Sequence, residues 1–155
     1  MNKLKNNHGF SLIELIVVIA IMAIITTAMA PMLIRYINKA RLSDDIDTGK
    51  TIVTAISSVI ADDGDFQDAV VSHDTPYPVN SMDKDAFKNE VFKVLGVSGT
   101  IKGKSKKDVN GDPLDMEFYY TVDPEKNKVM VYYGGTGDDY QIYPTLGNKL
   151  IDKSN

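Results

Sequence analysis

One acid stands inside a run of apolar side chains near the start of the chain. Between Phe10 and Ile34, a stretch of 25 residues, Glu14 is the single ionisable side chain. At 1.5 Å per residue a helix of this length spans roughly 37 Å, enough to cross a bilayer. A carboxylate in that setting costs about 2.5–3.5 kcal/mol at the bilayer centre and less near an interface, so it is kept where it finds a partner. No Lys or Arg lies between Lys5 and Arg35 to serve. Phe10 lies four residues before Glu14. If the chain were cut after Gly9, Phe10 would carry a free amine, and the amine of a neighbouring copy could neutralise Glu14. A lone buried charge destabilises, while a paired one sets register.

Other chemistry is sparse. The chain has no Cys, which removes disulfides, thiolate zinc sites and cysteine nucleophiles. His73 sits in a polar stretch without a second His beside it, so a metal pair is not expected. None of the serine-nucleophile, phosphate-loop or zinc-helix patterns occurs, and no enzyme activity is expected. Asp108, Asn110, Asp112 and Asp115 surround a turn at Gly111 and offer oxygen ligands of the kind calcium takes. The spacing is not that of an EF-hand, and Asn, Gly and Asp also build ordinary polar turns. Lys102, Lys104, Lys106 and Lys107 form a short basic run that reads as a solvated loop. Eight Tyr residues fit the core or edge of a sheet.

The elements follow from periodicity. After Ile34 the sequence turns polar, with Arg35, Lys39 and Arg41 where a helix would leave the membrane. Apolar residues then recur at Leu42, Ile46, Ile52/Val53, Ile56 and Val59/Ile60, a spacing near 3.6. One helix is expected from Phe10 to about Ala61. Its first half is apolar all round, and its second half carries one stripe for a following domain to cover. Gly49 is a weak point in it, costing about 1 kcal/mol relative to Ala. Pro31 removes a hydrogen bond and crowds the Thr27 carbonyl, so a kink is expected, with Thr26 and Thr27 available to satisfy the freed groups.

Residues 65–80 read as loop because of Pro76 and Pro78. A short helix should follow, capped by Ser81 or Asp83, with Ala86, Phe87, Val91 and Leu95 buried and Gly96 at its end. Ile101 marks a possible short strand. Met116, Phe118, Tyr120 and Val122 alternate with polar or outward positions, as do Val129, Val131 and Tyr133. Residues 123–127 form the turn of the resulting hairpin, and a third strand is expected near Tyr140–Tyr143.

Gly9-Phe10-Ser11-Leu12-Ile13-Glu14 resembles the cleavage and methylation motif of type IV prepilins and of type II secretion pseudopilins. That resemblance implies peptidase cleavage after Gly9, N-methylation of Phe10, and Glu14 as the assembly residue. Pro31 matches a Pro common near the end of the family's membrane segment, and Gly134 to Asp139 loosely resembles a pseudopilin calcium loop. The last match adds Asp138 and Asp139 to the calcium candidates. Two other readings fit the same apolar run. One is a secretory signal peptide cut near Ala28-Met29-Ala30, for which the run is too long; the other is a plain anchor, which leaves Glu14 unexplained.

The expected fold is therefore α+β and pilin-like: a long N-terminal helix, transmembrane in its first half, packed against a small antiparallel β-sheet. Residues 1–9 would be the leader, 10–34 the transmembrane and assembly half of the helix, 35–61 its amphipathic half, and 62–155 the globular domain. The function implied is a structural subunit of a type IV pilus-like filament. The alternatives are a type II secretion pseudopilin acting in protein export and a membrane-anchored binding module that never polymerises. Partners would be other copies, related pilins, a prepilin peptidase, an assembly platform with its ATPase, and the membrane. No cofactor is expected, and calcium is the one candidate. The precursor would sit in the cell membrane with its N-terminus cytoplasmic, and the mature chain in a surface or periplasmic filament. Nucleic acid is not expected as a partner. The net charge is −4, and it falls to −6 without residues 1–9, whereas nucleic-acid binding draws on a basic surface.

Overall fold

The computed structural model describes residues 11–62, 75–82, 85–123 and 128–151. Helix α1 runs Leu12–Asp62 and continues through Pro31. Residues up to Ile37 form one compact unit and residues from Asn38 a second. In the first, helix is the whole of the described structure. The hydroxyls of Thr26 and Thr27 donate to the carbonyls of Met22 and Ala23. Each bonds four residues back, so neither takes up the Thr27 carbonyl that Pro31 leaves free.

In the second unit a four-stranded antiparallel sheet, ordered β1-β2-β3-β4, packs with the remainder of α1 and with a shorter helix around one core. The strands are β1 (Tyr77–Pro78), β2 (Phe118–Asp123), β3 (Lys128–Tyr133) and β4 (Gln141–Tyr143). The arrangement is α+β, as periodicity required. β1 is a departure, because it falls in the stretch read as loop. Its Pro78 pairs with Tyr119 at the sheet edge, where a missing N–H is tolerated. No strand forms at Ile101. Beyond the strands, Lys107 bridges to Pro113. The hairpin turn at 124–127, and His73, lie outside the described residues.

Register on β2 and β3 puts Phe118 opposite Tyr133, Tyr120 opposite Val131 and Val122 opposite Val129, all buried. The Phe118 and Tyr133 rings stack at 4.9 Å between centroids. Thr121 and Tyr132, on the other face, are buried too, so the hairpin is not one-sided as its alternation suggested.

The short helix α2 (Asp85–Val94) buries Phe87, Val91 and Phe92, while Leu95 is half-buried and Ala86, placed on the buried face by sequence, is exposed. It begins after a 3-10 turn at Val79–Ser81, so Ser81 does not cap it, and Asp83 lies outside the described residues. Gly96 ends it with φ +67°; its N–H bonds Lys93 and the Val97 N–H bonds Phe92, the paired closure of a Schellman motif.

The buried stripe of α1 includes Leu42, Asp45, Gly49, Ile52, Ile56 and Val59. Its middle positions are Asp45 and Gly49, and Ile46 is only half-buried. Gly49 has a packing reason. A Cβ there would lie 2.3 Å from Ile142 Cδ1. Ile142 is the extra residue of a bulge, since Val131 pairs with Tyr143 and Tyr132 with Gln141. The bulge aims this side chain at the helix. Gly49→Ala, which raises stability by about 1 kcal/mol in an exposed helix, is expected here to destabilise by about 1–3 kcal/mol through overpacking. Urea unfolding of the full chain in detergent checks this, and an Ile142→Ala partner should recover part of the loss.

Candidate functional site

Residues 12–37 of α1 leave their large apolar side chains in the open. Leu12 is 75 % exposed, Ile24 70 % and Met32 63 %. Mean hydropathy reaches 2.6 over 18 residues, and none of that window is buried. By length and composition this is a helix able to cross a membrane. A surface of this kind is stable only in lipid or against other apolar helices.

Glu14 lies in the first turn of α1. Its Oε2 accepts a hydrogen bond of 2.9 Å from the Ser11 backbone N–H. The Ser11 carbonyl in turn accepts the Leu15 N–H at 3.2 Å. Ser11 therefore stands at the N-cap and Glu14 at the third helical position, which is one limb of a capping box. The acid is partly satisfied within its own chain and still has lone pairs for a second donor. The Ser-x-x-Glu spacing was present in the sequence and carried this signal. Gly9 and Phe10 lie outside the described residues.

Most of the acids considered for calcium are engaged in turns or ion pairs. Asp108 Oδ1 accepts the backbone N–H groups of Asn110 and Asp112. Its Oδ2 lies 3.1 Å from Lys149 Nζ, which also bonds Asp112 at 2.5 Å. Asp115 takes the Glu117 N–H and the Tyr119 hydroxyl, and Asp139 accepts from the Asn148 amide. Asp138 is exposed. Among the described residues no group of three or more His, Cys, Asp or Glu is placed to hold a metal ion. A lysine ammonium sits between Asp108 and Asp112.

This lysine clasps the C-terminal segment. Its backbone N–H bonds the Asp139 carbonyl and its own carbonyl accepts from Val109, while Leu150 is buried in the core. Burial opposes ionisation of Asp108, but the Lys149 ammonium and the two backbone donors outweigh it and hold the carboxyl below its usual range. The Asp115 carboxylate, helped by burial, pushes the Tyr119 hydroxyl up to about 12.

A second polar anchor was not foreseen. Asp45 is 1 % exposed and accepts the backbone N–H groups of Lys104 at 2.8 Å and Ser105 at 2.7 Å. Tyr133 donates its hydroxyl to the Ser105 carbonyl at 2.5 Å. Burial first, and then the Asp45 charge, raises the pKa of that hydroxyl. Asn80 bonds both the N–H and the carbonyl of Ile101 at 2.8 Å. Residues 101–107 are thus strapped to the helix, the sheet and the turn before α2. The strap passes so close to Tyr133 that a Cβ on Gly103 would lie 2.1 Å from the ring.

Residues 4–30 match the family described as the prokaryotic N-terminal methylation motif, the signature of type IV prepilins and pseudopilins. The match spans the Gly9–Phe10 junction, Glu14 and the apolar half of α1 up to Ala30. Curated proteins and solved structures give no match to the chain.

Two outcomes test the anchors. Asp45→Ala leaves two backbone donors unpaired and should destabilise the chain by about 3 kcal/mol, with faster amide exchange at Lys104 and Ser105. The clasp responds to acid. Because the Asp108 value is depressed, its contribution is present above the ordinary 3.8 and fades as pH falls through the lower folded value. Lys149→Met removes that depression, so the acid-unfolding midpoint should move to higher pH.

Proposed function

We propose that this chain is a subunit of a type IV pilus-like filament, built by packing the apolar half of α1 against copies of itself after removal of residues 1–9. The observation that carries this reading is the methylation motif at residues 4–30 running directly into an exposed apolar helix with Glu14 in its first turn. A prepilin peptidase would cut after Gly9 and leave a methylated amine on Phe10. An assembly platform with its ATPase would lift the subunit from the membrane.

Moving the helix from lipid into a helical bundle brings little hydrophobic gain, since both surroundings are apolar. Selection of the correct stacking then falls to polar pairing. In a bundle of copies the Phe10 amine of one subunit can meet Glu14 of another, and a slipped register leaves the acid facing hydrocarbon. The Ser11 N–H holds one oxygen meanwhile, so the carboxylate is not bare before its partner arrives. A type II secretion pseudopilin would use the same chemistry in a shorter polymer acting in export, and filament length on whole cells separates the two.

Two measurements decide the reading. Intact mass of the mature chain should show nine residues missing and one methyl group added at Phe10; an unprocessed leader would count against a filament subunit. Glu14→Ala should abolish incorporation into filaments while leaving the protein in the membrane. Unchanged assembly by that variant would remove the role given to the carboxylate.

A further inference from the structure

Charge is unevenly distributed along the globular unit. From Asp85 to Lys107 the sequence holds six lysines against two acids, a local +4 in a chain of net −4. From Asp108 to Asp139 it holds eight acids against two lysines. Along the strap, burial alternates. Ile101 and Ser105 are buried and Gly103 is half-buried, whereas Lys102, Lys104, Lys106 and Lys107 are exposed. Lys104 is taken by Asp44. The ammonium groups of Lys102, Lys106 and Lys107 have no partner among the described residues. Asn80, Asp45 and Tyr133 fix the backbone that carries them. Charges presented on fastened backbone lose less freedom on docking than charges on a loose loop.

The matching surface is on the chain itself. Asp138 and Asp139 are exposed on the 3-10 turn that precedes β4 (Asp138–Tyr140). That turn is held by the Lys149 N–H on the Asp139 carbonyl and by Asn148 on the Asp139 side chain. We propose that the lysine strap of one copy docks on the Asp138–Asp139 turn of a second copy. The proposal rests on the filament reading and adds a contact between globular units to the helical one. Within a polymer the contact is made head to tail, each copy offering its strap to one neighbour and its turn to another. Its contribution is register and association rate more than affinity.

A polyanion such as nucleic acid is disfavoured as the occupant. The Gly103 N–H bonds the Met116 carbonyl, so the strap runs beside the segment that carries the exposed Asp115 and the half-buried Glu117. A phosphate backbone laid along the strap would meet them, whereas two neighbouring aspartates engage the lysines alone.

The test uses the full chain in cells that assemble it. Lys102→Glu, Lys106→Glu and Lys107→Glu together should cut filament yield about tenfold, with thermal unfolding of the purified variant unchanged. Asp138→Lys with Asp139→Lys should do the same alone, and co-expression of the two variants should restore assembly. Because the chain has no cysteine, copies carrying Lys106→Cys and copies carrying Asp138→Cys should cross-link to each other within filaments. Normal assembly by the triple variant, or failure of the paired variants to rescue, overturns the docking while leaving the filament reading in place. Loss of binding to a duplex DNA probe with assembly intact makes the strap a nucleic-acid surface and overturns it too. A wild-type chain that forms no polymer overturns both.

Discussion

A carboxylate buried in the packed face of a helix is tolerable only when its lone pairs are filled, and the globular unit is arranged around that requirement at Asp45. The two N–H groups that fill them come from Lys104 and Ser105, about sixty residues further along the chain. Once those residues are placed, the neighbouring contacts follow. Ser105 offers its carbonyl to Tyr133, Tyr133 stacks on Phe118, and Gly103 must lack a side chain to let the ring lie beneath it. Helix, strap and sheet are coupled through one acid.

Much of the architecture was legible because it is written in local periodicity. The 3.6-residue spacing from Leu42 to Ile60 and the two-residue alternation from Phe118 to Tyr133 each specify an element without reference to anything distant, though the alternation did not foretell the burial of Thr121 and Tyr132. The Gly9-to-Glu14 motif was legible for a related reason, since the residues that carry the match stand in six consecutive positions. What escaped is what depends on partners far along the chain. Asp45 carries no signal in the apolar spacing, because the donors that fill it stand at 104 and 105. Gly49 reads as a weak point until Ile142 is seen against it. Tyr77–Pro78 reads as loop because a two-residue edge strand has no period of its own. Asp108 and Asp112 also pair with a lysine about forty residues on, which no local spacing announces.

Along α1 the same backbone geometry serves two kinds of surroundings. Up to Ile37 its side chains are mostly apolar and exposed; from Asn38 onward one stripe is buried by its own domain. Such a composition suits a segment whose neighbours are supplied from outside the molecule, by lipid at one stage and by protein at another. Such a helix is equally at home in either, and Glu14 is the one acid it carries into them.

The end of the chain is fastened by an ammonium group on two carboxylates and by three main-chain bonds, with no covalent link in the closure. A fastening of this type needs no oxidant when the protein matures and has no wrong sulfur partner to choose. Under a pulling load it can part and close again unaided.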